Sequence, residues 1–543
     1  MRSGMMESPL TIPGMVTSRA ERLFARRPVV TRSRAGVTRL TWGDVVARAR
    51  RLAGALAALG VGPGDRVATF AGGTHRHVEA YLAATSMGAV LHTVNVHLPA
   101  EHVAYIVDHA DDTLVLCEAG LLPAWEEAES RLTRRRPVVV LPDGDGDEPP
   151  AGGRLGYERL LAEADPLKAW PEVEEAAAAH VSYTTGTTGR PKGVVFSHRS
   201  TVLQSFCAGL ADAESLSSGD TLLALVPLSL SQVGLPFSAA MHGCGLLLPG
   251  GDLTPAGVCE LIERERPTVS VGFGAALTGL LDHWRRHRPD LSSLRRMVCG
   301  GSPVPRAVSR AFEEEVGVPI VQVFGMTETS GHGSFSRPPA EAGERPSEET
   351  RAYYAVSQGR PLAMVDMRIA DDTGGEVPWD GASMGELQVR GPWVVREYFR
   401  DGSPPDKFQQ GWLRTGDAAR IDELGYIRIV DRMKDLIRAK GEWISTVELE
   451  EHLMAHPAVA DAAVVGVPDA ESGERPLACV VLRESDGARP APEEFAAHLA
   501  GRVPPSWLPT VRVVTELPRT GVGKVDKRAL RERFGAARPA PEA

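Results

Sequence analysis

The stretch "VSYTTGTTGRPKGVVFSH", Val181 to His198, places four threonines, three glycines, a proline and a lysine between two apolar, β-prone runs. Read as a strand, His180 to Thr184, running into a tight loop, it is a place where backbone N–H groups converge and threonine hydroxyls add further donors. Converging donors bind phosphate oxygens. Lys192 adds a point charge suited to a terminal phosphate. The spacing is not G-x-x-x-x-G-K-[ST], because Gly193 follows Lys192 and offers Mg²⁺ no hydroxyl, so a metal ligand must come from elsewhere. The competing reading is a merely flexible Gly/Thr turn.

Working outward, helical and strand patterns alternate: helix Trp42 to Leu59, strand Arg66 to Phe70, helix Val78 to Met87, strand Ala89 to Thr93, helix Ala100 to His109, strand Thr113 to Cys117. Short apolar strands alternating with helices of this length predict parallel α/β layers. Arg134 to Pro166 and Pro338 to Arg351, rich in Pro, Gly and acids, read as surface excursions. Thr221 to Gly251 has no charged residue. Its prolines Pro227, Pro236 and Pro249 break it into pieces too short for a membrane span, so a buried strand, loop and helix are expected. Toward the C-terminus, helix Thr446 to Met454, the strands "AVADAAVVGVPD" and "RPLACVVLRES", and helix Pro492 to Leu499 make an α+β unit of about 110 residues. The expected division is therefore α/β: a large N-terminal domain of layered sheets and helices, 1–431, and a small mobile α+β domain, 432–543, with a disordered tail from about 535. The hinge is expected at Asp431 to Lys434.

A chain of 543 residues is long enough to split into domains. Its 43% hydrophobic and 24% charged content is that of a globular protein. A net charge of -10 argues against nucleic acid as the main partner. Six scattered cysteines, with no C-x-x-C pair, suggest reduced, buried thiols rather than disulfides or zinc. Met1 to Gly36 lacks the apolar stretch of a signal peptide, so a cytoplasmic location is expected; Met5, Met6 and Met15 leave the start open.

"YTTGTTGRPKGVVFSH" resembles the phosphate-binding signature of the adenylate-forming superfamily, which includes acyl-CoA synthetases, firefly luciferase and peptide-synthetase adenylation domains. Further signatures follow in order. "GGSPVP", Gly300 to Pro305, resembles the adenine-binding turn. "VFGMTETSG", Val323 to Gly331, resembles the segment that stacks an aromatic on adenine and supplies Thr and Glu to nucleotide and Mg²⁺. "GELQVRGP", "GWLRTGD", "DRMKDLIRAKGEWIS" and "PRTGVGKVDKRAL" complete the series. The likeness runs from about Leu40 to Phe534 and is greatest to bacterial medium- and long-chain fatty acyl-CoA synthetases.

The resemblance implies ATP, Mg²⁺ and CoA as cofactor and co-substrates, and it assigns residues. Thr185, Gly186, Thr187, Thr188, Gly189 and Lys192 hold phosphates; Gly301, Ser302, Pro303, Phe324, Gly325, Met326 and Thr327 hold the nucleotide. Asp417 accepts from the ribose hydroxyls, with Ile429 and Arg432 nearby. Thr184 and Glu328 are implied at Mg²⁺, and Glu328 is the hard oxygen donor that ion prefers. Lys524 is implied to bridge the carboxylate and the α-phosphate, where an ammonium stabilises charge spreading over oxygens. In relatives the small domain then rotates about a residue matching Lys434 and presents Lys440, Gly441 and Glu442 to build a CoA tunnel. Trp443 matches a gate residue; gating the acid pocket and anchoring the small-domain core both remain open. Taken singly, each of these residues has a blander reading as core, turn or solvated surface; their order and mutual support carry the inference.

The substrate side departs from the pattern. Fatty acyl-CoA synthetases commonly carry "PMFHVN"; here "PLSLSQVGLP" stands, with Leu230 or Ser231 in place of the histidine and Gln232 beside them. "GFGA", Gly272, Phe273, Gly274 and Ala275, replaces the usual "GVPT", and "FAGGTH" replaces a segment that often carries asparagine. The expected activity is an AMP-forming acid:CoA ligase, acting on a carboxylic acid or other oxyanion, with no membrane span and with a homodimer left open. An ATP-dependent diazotase using nitrite and an aromatic amine is the alternative, and a non-catalytic nucleotide-binding scaffold a third.

Overall fold

The computed structural model describes residues 8–34, 36–144, 153–184, 190–230, 234–343, 347–355, 357–400, 407–439, 442–483, 490–519 and 525–534. They fall into two compact units, one drawn from Met1–Met367, Val389–Leu413 and Leu424–Tyr426, the other from Arg368–Gln388, Arg414–Glu423 and Ile427–Ala543.

In the larger unit the alternation read from sequence forms as expected: strand Arg66–Phe70, helix His75–Ser86, strand Val90–Thr93, helix Ala100–Ala110, strand Leu114–Glu118. With Leu155–Gly156 and Val138–Leu141 on one side and Ala178–Tyr183 and Gly193–Ser197 on the other, these strands make a seven-stranded sheet among the described residues. All its pairings are parallel except the last, Ala178–Tyr183 against Gly193–Ser197. Helices on the faces of a parallel sheet bury its strands, which is why they read as mainly apolar runs without polar alternation. Val138–Leu141 corrects one expectation. The segment Arg134 to Pro166 holds this buried strand and the helix Tyr157–Glu163, whose Tyr157 is fully buried, rather than surface loop alone. Three valines and a leucine suffice for an inner strand, and the Pro- and Gly-rich residues on either side hid them.

Among the described residues a nine-stranded sheet lies in the same unit. Its parallel core runs through Gly245–Leu248, Thr221–Ala224, Val269–Phe273, Arg296–Gly300 and Ile320–Phe324. The charge-free stretch supplies two of these strands and the helix Leu235–His242 between them. No helix among the described residues is long and apolar enough to cross a membrane. Helix Trp42–Ala58 starts at a capping box between Thr41 and Asp44. Fully buried Trp42 donates its Nε1 to the Cys244 carbonyl at 2.8 Å, which fixes the helix to the strand that follows Cys244.

The smaller unit contains helix Thr446–Met454, the antiparallel strands Val459–Asp469 and Gly473–Leu482, helix Pro492–Leu499, and strand Thr510–Val514 parallel to Gly473–Leu482. Ile437, Leu449, Leu453, Val464, Val480 and Phe495 form its core. All six cysteines are free and buried.

Burial holds four histidines of the larger unit neutral. His75 and His180 are pushed down to about 3, and His77 and His198 to about 4. In the unfolded chain each titrates near 6.5. Below that pH the unfolded state takes up protons that the folded state refuses, so stability is full above pH 6.5 and falls as pH drops toward 4. These four histidines should therefore make the urea midpoint decline as pH falls from 6.5 to 4.5. The decline should be shallower in His180→Gln.

Candidate nucleotide and acid site

The loop expected to bind phosphate is closed at its neck. Thr184 N–H donates to the Lys192 carbonyl at 2.9 Å, and Lys192 N–H donates to Thr184 Oγ1 at 3.1 Å. Tyr183 and Gly193 are partners in the antiparallel pair, so the loop leaves and rejoins adjacent strands in fixed register. Thr185, Gly186, Thr187, Thr188 and Gly189, expected to touch phosphate, lie outside the described residues, as do Ser231, Gln232, Lys440 and Lys524.

Gly193 has a packing reason. A Cβ there would stand 3.1 Å from both the Tyr183 ring and Phe399 Cβ, and the Gly193 carbonyl accepts from Phe399 N–H at 2.8 Å. The residue after Lys192 is thus a backbone docking point, which accounts for the missing hydroxyl of a P-loop. Docking Phe399 also sets Tyr398. Lys192 Nζ sits 4.8 Å from the Tyr398 ring centroid, and Tyr398 Oη donates to Glu328 Oε1 at 2.6 Å. One phenol therefore joins the cation of one sequence signature to the carboxylate of another. Tyr398 was not picked out from sequence. Its only signal was an aromatic pair, Tyr398 and Phe399, within the otherwise polar "VREYFRDG".

Glu328 is 6% exposed and lies on the short 3-10 turn Thr327–Thr329. The turn is built tightly. Met326 N–H donates to Thr329 Oγ1, Gly331 N–H to the Met326 carbonyl, and a Cβ on Gly325 would meet the Gly331 carbonyl at 2.0 Å. Half-buried Phe324 ends the preceding strand, paired with Ser334. Its ring edge lies 3.0 Å from where a Gly333 Cβ would be.

The turn expected to hold adenine and one segment expected to line the substrate pocket are brought together. Phe273 and Gly300 are partners on neighbouring parallel strands. Gly301, at φ +79°, faces the Phe273 ring, which stands 2.9 Å from an added Cβ, and a Gly274 Cβ would stand 2.9 Å from the Ser302 carbonyl. Gly301, Ser302 and Pro303 are exposed, Gly272 meets Leu225, and Leu230 is half-buried.

The strand Trp412–Ile421, in the smaller unit from Arg414 on, is antiparallel to Ile427–Arg432, with Asp417 opposite Arg432. Asp417, 4% exposed, donates its N–H to Thr415 Oγ1 at 3.0 Å and pairs through its carboxylate with Arg432 Nε at 3.0 Å. Ile429 lies on the same hairpin, opposite Ala419. Half-buried Trp443 stands beneath the Arg438 guanidinium, 5.2 Å from its ring centroid. At the expected hinge, buried Asp431 accepts from Thr446 N–H and Oγ1, both at 2.6 Å. Lys527 Nζ donates to the same Thr446 hydroxyl at 2.6 Å and pairs with Glu450 at 2.7 Å. Asp431, read from sequence only as part of the hinge, and Lys527, which sequence did not single out, are both tied into this contact set.

Residues 17–399 match the AMP-binding enzyme model and residues 448–524 the AMP-binding enzyme C-terminal domain model. The chain is 43% identical over 545 residues to a long-chain-fatty-acid–CoA ligase of Thermus thermophilus, covering 98% of this chain and 97% of that one. It is 38% identical over 538 residues to a medium-chain-fatty-acid–CoA ligase of Ectopseudomonas oleovorans, covering 98% of each. A crystal structure of an anthranilate CoA ligase in complex with anthranoyl-AMP superposes with a TM-score of 0.82 at 25% identity, covering 98% of this chain and 99% of that one. With its two family models matched in order and its relatives aligned almost end to end, the chain belongs to the AMP-binding, adenylate-forming enzymes.

Proposed function

We propose that this enzyme is an AMP-forming acid:CoA ligase. A carboxylate oxygen attacks the α-phosphorus of ATP and pyrophosphate leaves; the CoA thiol then attacks the acyl carbonyl, AMP leaves, and the thiol proton passes to solvent. The convergence of Lys192 and Glu328 on Tyr398 carries the reading, because it sets one cation and one carboxylate beside a closed, donor-rich loop. The names of the relatives favour CoA as acceptor, and no observation favours nitrite and an amine. The cytoplasm, where ATP and CoA are supplied, is the fitting location.

The donor set suits Mg²⁺. Among the described residues Glu328 Oε1 carries a neutral phenol donor rather than a cation, and Thr184 Oγ1, accepting from Lys192, keeps a second lone pair. A carboxylate, a hydroxyl and phosphate oxygens are the hard ligands this ion takes, and when bound it neutralises charge on the phosphates. In this reading Lys192 binds the outer phosphates, Phe324 and Gly301 to Pro303 hold adenine, and Asp417 accepts from the ribose. Lys524 stabilises the oxygens around the α-phosphorus as the new bond forms. Lys527, the neighbouring lysine, is committed to Glu450 and Thr446, which supports assigning the chemistry to Lys524. Lys434 acts as pivot, and Lys440 to Glu442 shape the CoA tunnel.

Three measurements test the reading. A pyrophosphate-exchange screen over short, medium, long and aromatic acids should show exchange with at least one class; nitrite should support none. Lys524→Ala should lower exchange by about a hundredfold or more with the melting temperature unchanged, whereas Lys527→Ala should chiefly lower the melting temperature. Tyr398→Phe removes the donor to a buried carboxylate and should raise the KM for Mg·ATP about tenfold.

A further inference from the structure

The last turn of helix Ala100–Ala110 meets the framework of the site at several points, and the ligase reading uses none of them. His109 Nδ1 lies 2.8 Å from Tyr183 Oη, a hydrogen bond whichever of the two carries the proton. The His109 ring stands nearly perpendicular to that of Phe399, at 88° with centroids 5.8 Å apart. Its carbonyl accepts from Arg400 Nη1 at 3.0 Å. One turn earlier, Tyr105 lies under the Arg190 guanidinium, 5.1 Å from its ring centroid, on the limb of the loop that returns to Lys192.

Tyr183 and Phe399 are the two side chains that crowd Gly193, each 3.1 Å from where its Cβ would be, and His109 touches both. The Tyr183 ring also packs against His92, with centroids 5.1 Å apart, and Asp112 Oδ2 holds His92 Nδ1 at 2.7 Å, both side chains fully buried. Ring packing sets where the phenol lies; the hydrogen bond to His109 fixes its outer end. Beyond Phe399, Arg400 takes φ +54°, in the left-handed region. A residue with a side chain is strained there and keeps that shape only where its surroundings impose it. Phe399 N–H on the Gly193 carbonyl and the Arg400 guanidinium on the His109 carbonyl tether it from both sides. An apolar side chain at position 109 could fill the space beside Phe399 but would take this partner from the Tyr183 hydroxyl.

Resting on the ligase reading, we infer that His109 is a positioning residue for Mg·ATP. It acts through other side chains rather than on the substrate. His109 holds Tyr183 and Phe399 on either side of Gly193; Phe399 sets Tyr398, which holds Glu328 and lies beside Lys192. Lys192 and Glu328 grip the nucleotide before and during the reaction, so loosening them weakens binding more than it slows the chemical step.

The test is pyrophosphate exchange by the full chain, with Mg·ATP and the acid varied in turn. His109→Leu should raise the KM for Mg·ATP about fivefold, while kcat and the KM for the acid change by about twofold or less. His109→Asn, which puts a hydrogen-bonding atom near the position of Nδ1, should bring the KM back to within about twofold of wild type. Tyr183→Phe removes the same hydrogen bond by deleting one oxygen and should match His109→Leu, which keeps the inference testable if the leucine variant fails to fold. In a Tyr398→Phe background His109→Leu should add about twofold or less, because both changes act on Glu328. An unchanged KM for Mg·ATP in folded His109→Leu or Tyr183→Phe, an equal rise in the KM for the acid, or an effect that multiplies in full with that of Tyr398→Phe would overturn the inference while leaving the ligase reading intact. Absence of exchange by the wild-type enzyme with any acid would overturn the ligase reading, and this inference with it.

Discussion

Two hydrogen bonds between Thr184 and Lys192 close a loop whose ends lie on adjacent antiparallel strands, and the arrangement of the larger unit's site depends on that closure. Closure fixes where Lys192 leaves the sheet. The next residue must then let another chain segment dock, and a Cβ at Gly193 would crowd Tyr183 and Phe399 at 3.1 Å. Phe399 takes that place, Tyr398 follows, and Tyr398 reaches Glu328. Three segments distant in sequence are thereby set in one geometry by a backbone contact at Gly193 and by the side-chain contacts of Tyr398.

Polar burial is handled differently in the two units. In the smaller one Asp431, Thr446, Lys527 and Glu450 form a chain of short contacts in which each buried charge finds a partner. Removing one member of such a set leaves a charge uncompensated, which is costlier than never having had the pair. This ties the strand entering the unit to its first helix and to the helix Lys527–Phe534 near its end. In the larger unit buried His332 pairs with Glu214 Oε1, while Glu214 Oε2 has no hydrogen-bond partner among the described residues.

Much of this was legible in the sequence because local rules and global fold agree. The helix Thr446–Met454 and the helix Pro492–Leu499 form at the residues expected, the first capped by Ser445 and the second opened by a proline. The parallel strands at Arg66 and Val90 were legible for a similar reason: short apolar runs follow helices of regular period. Val138–Leu141 was not, since four apolar residues between arginines and a Pro/Gly/Asp run carry too little periodic signal. The order of the nucleotide signatures could be read as well, but not their contacts. Nothing in the spacing of Lys192, Glu328 and Tyr398 says that one phenol joins the other two, because that depends on how Phe399 docks. Nor does the charge-free stretch announce Glu214 and His332, which lie outside it in sequence.

The six buried cysteines bear on the chemistry of a thiol co-substrate. Burial pushes the thiols of Cys207, Cys244 and Cys299 up to about 12 and those of Cys259 and Cys479 up to about 11, and raises Cys117 further. The thiolate is the nucleophile in disulfide exchange, and at neutral pH almost none of it forms at such sites. An enzyme that handles CoA meets its oxidised and mixed-disulfide forms as well. With no accessible sulfur of its own among these six, the folded chain resists capture by those forms and stays competent through swings in cellular redox poise.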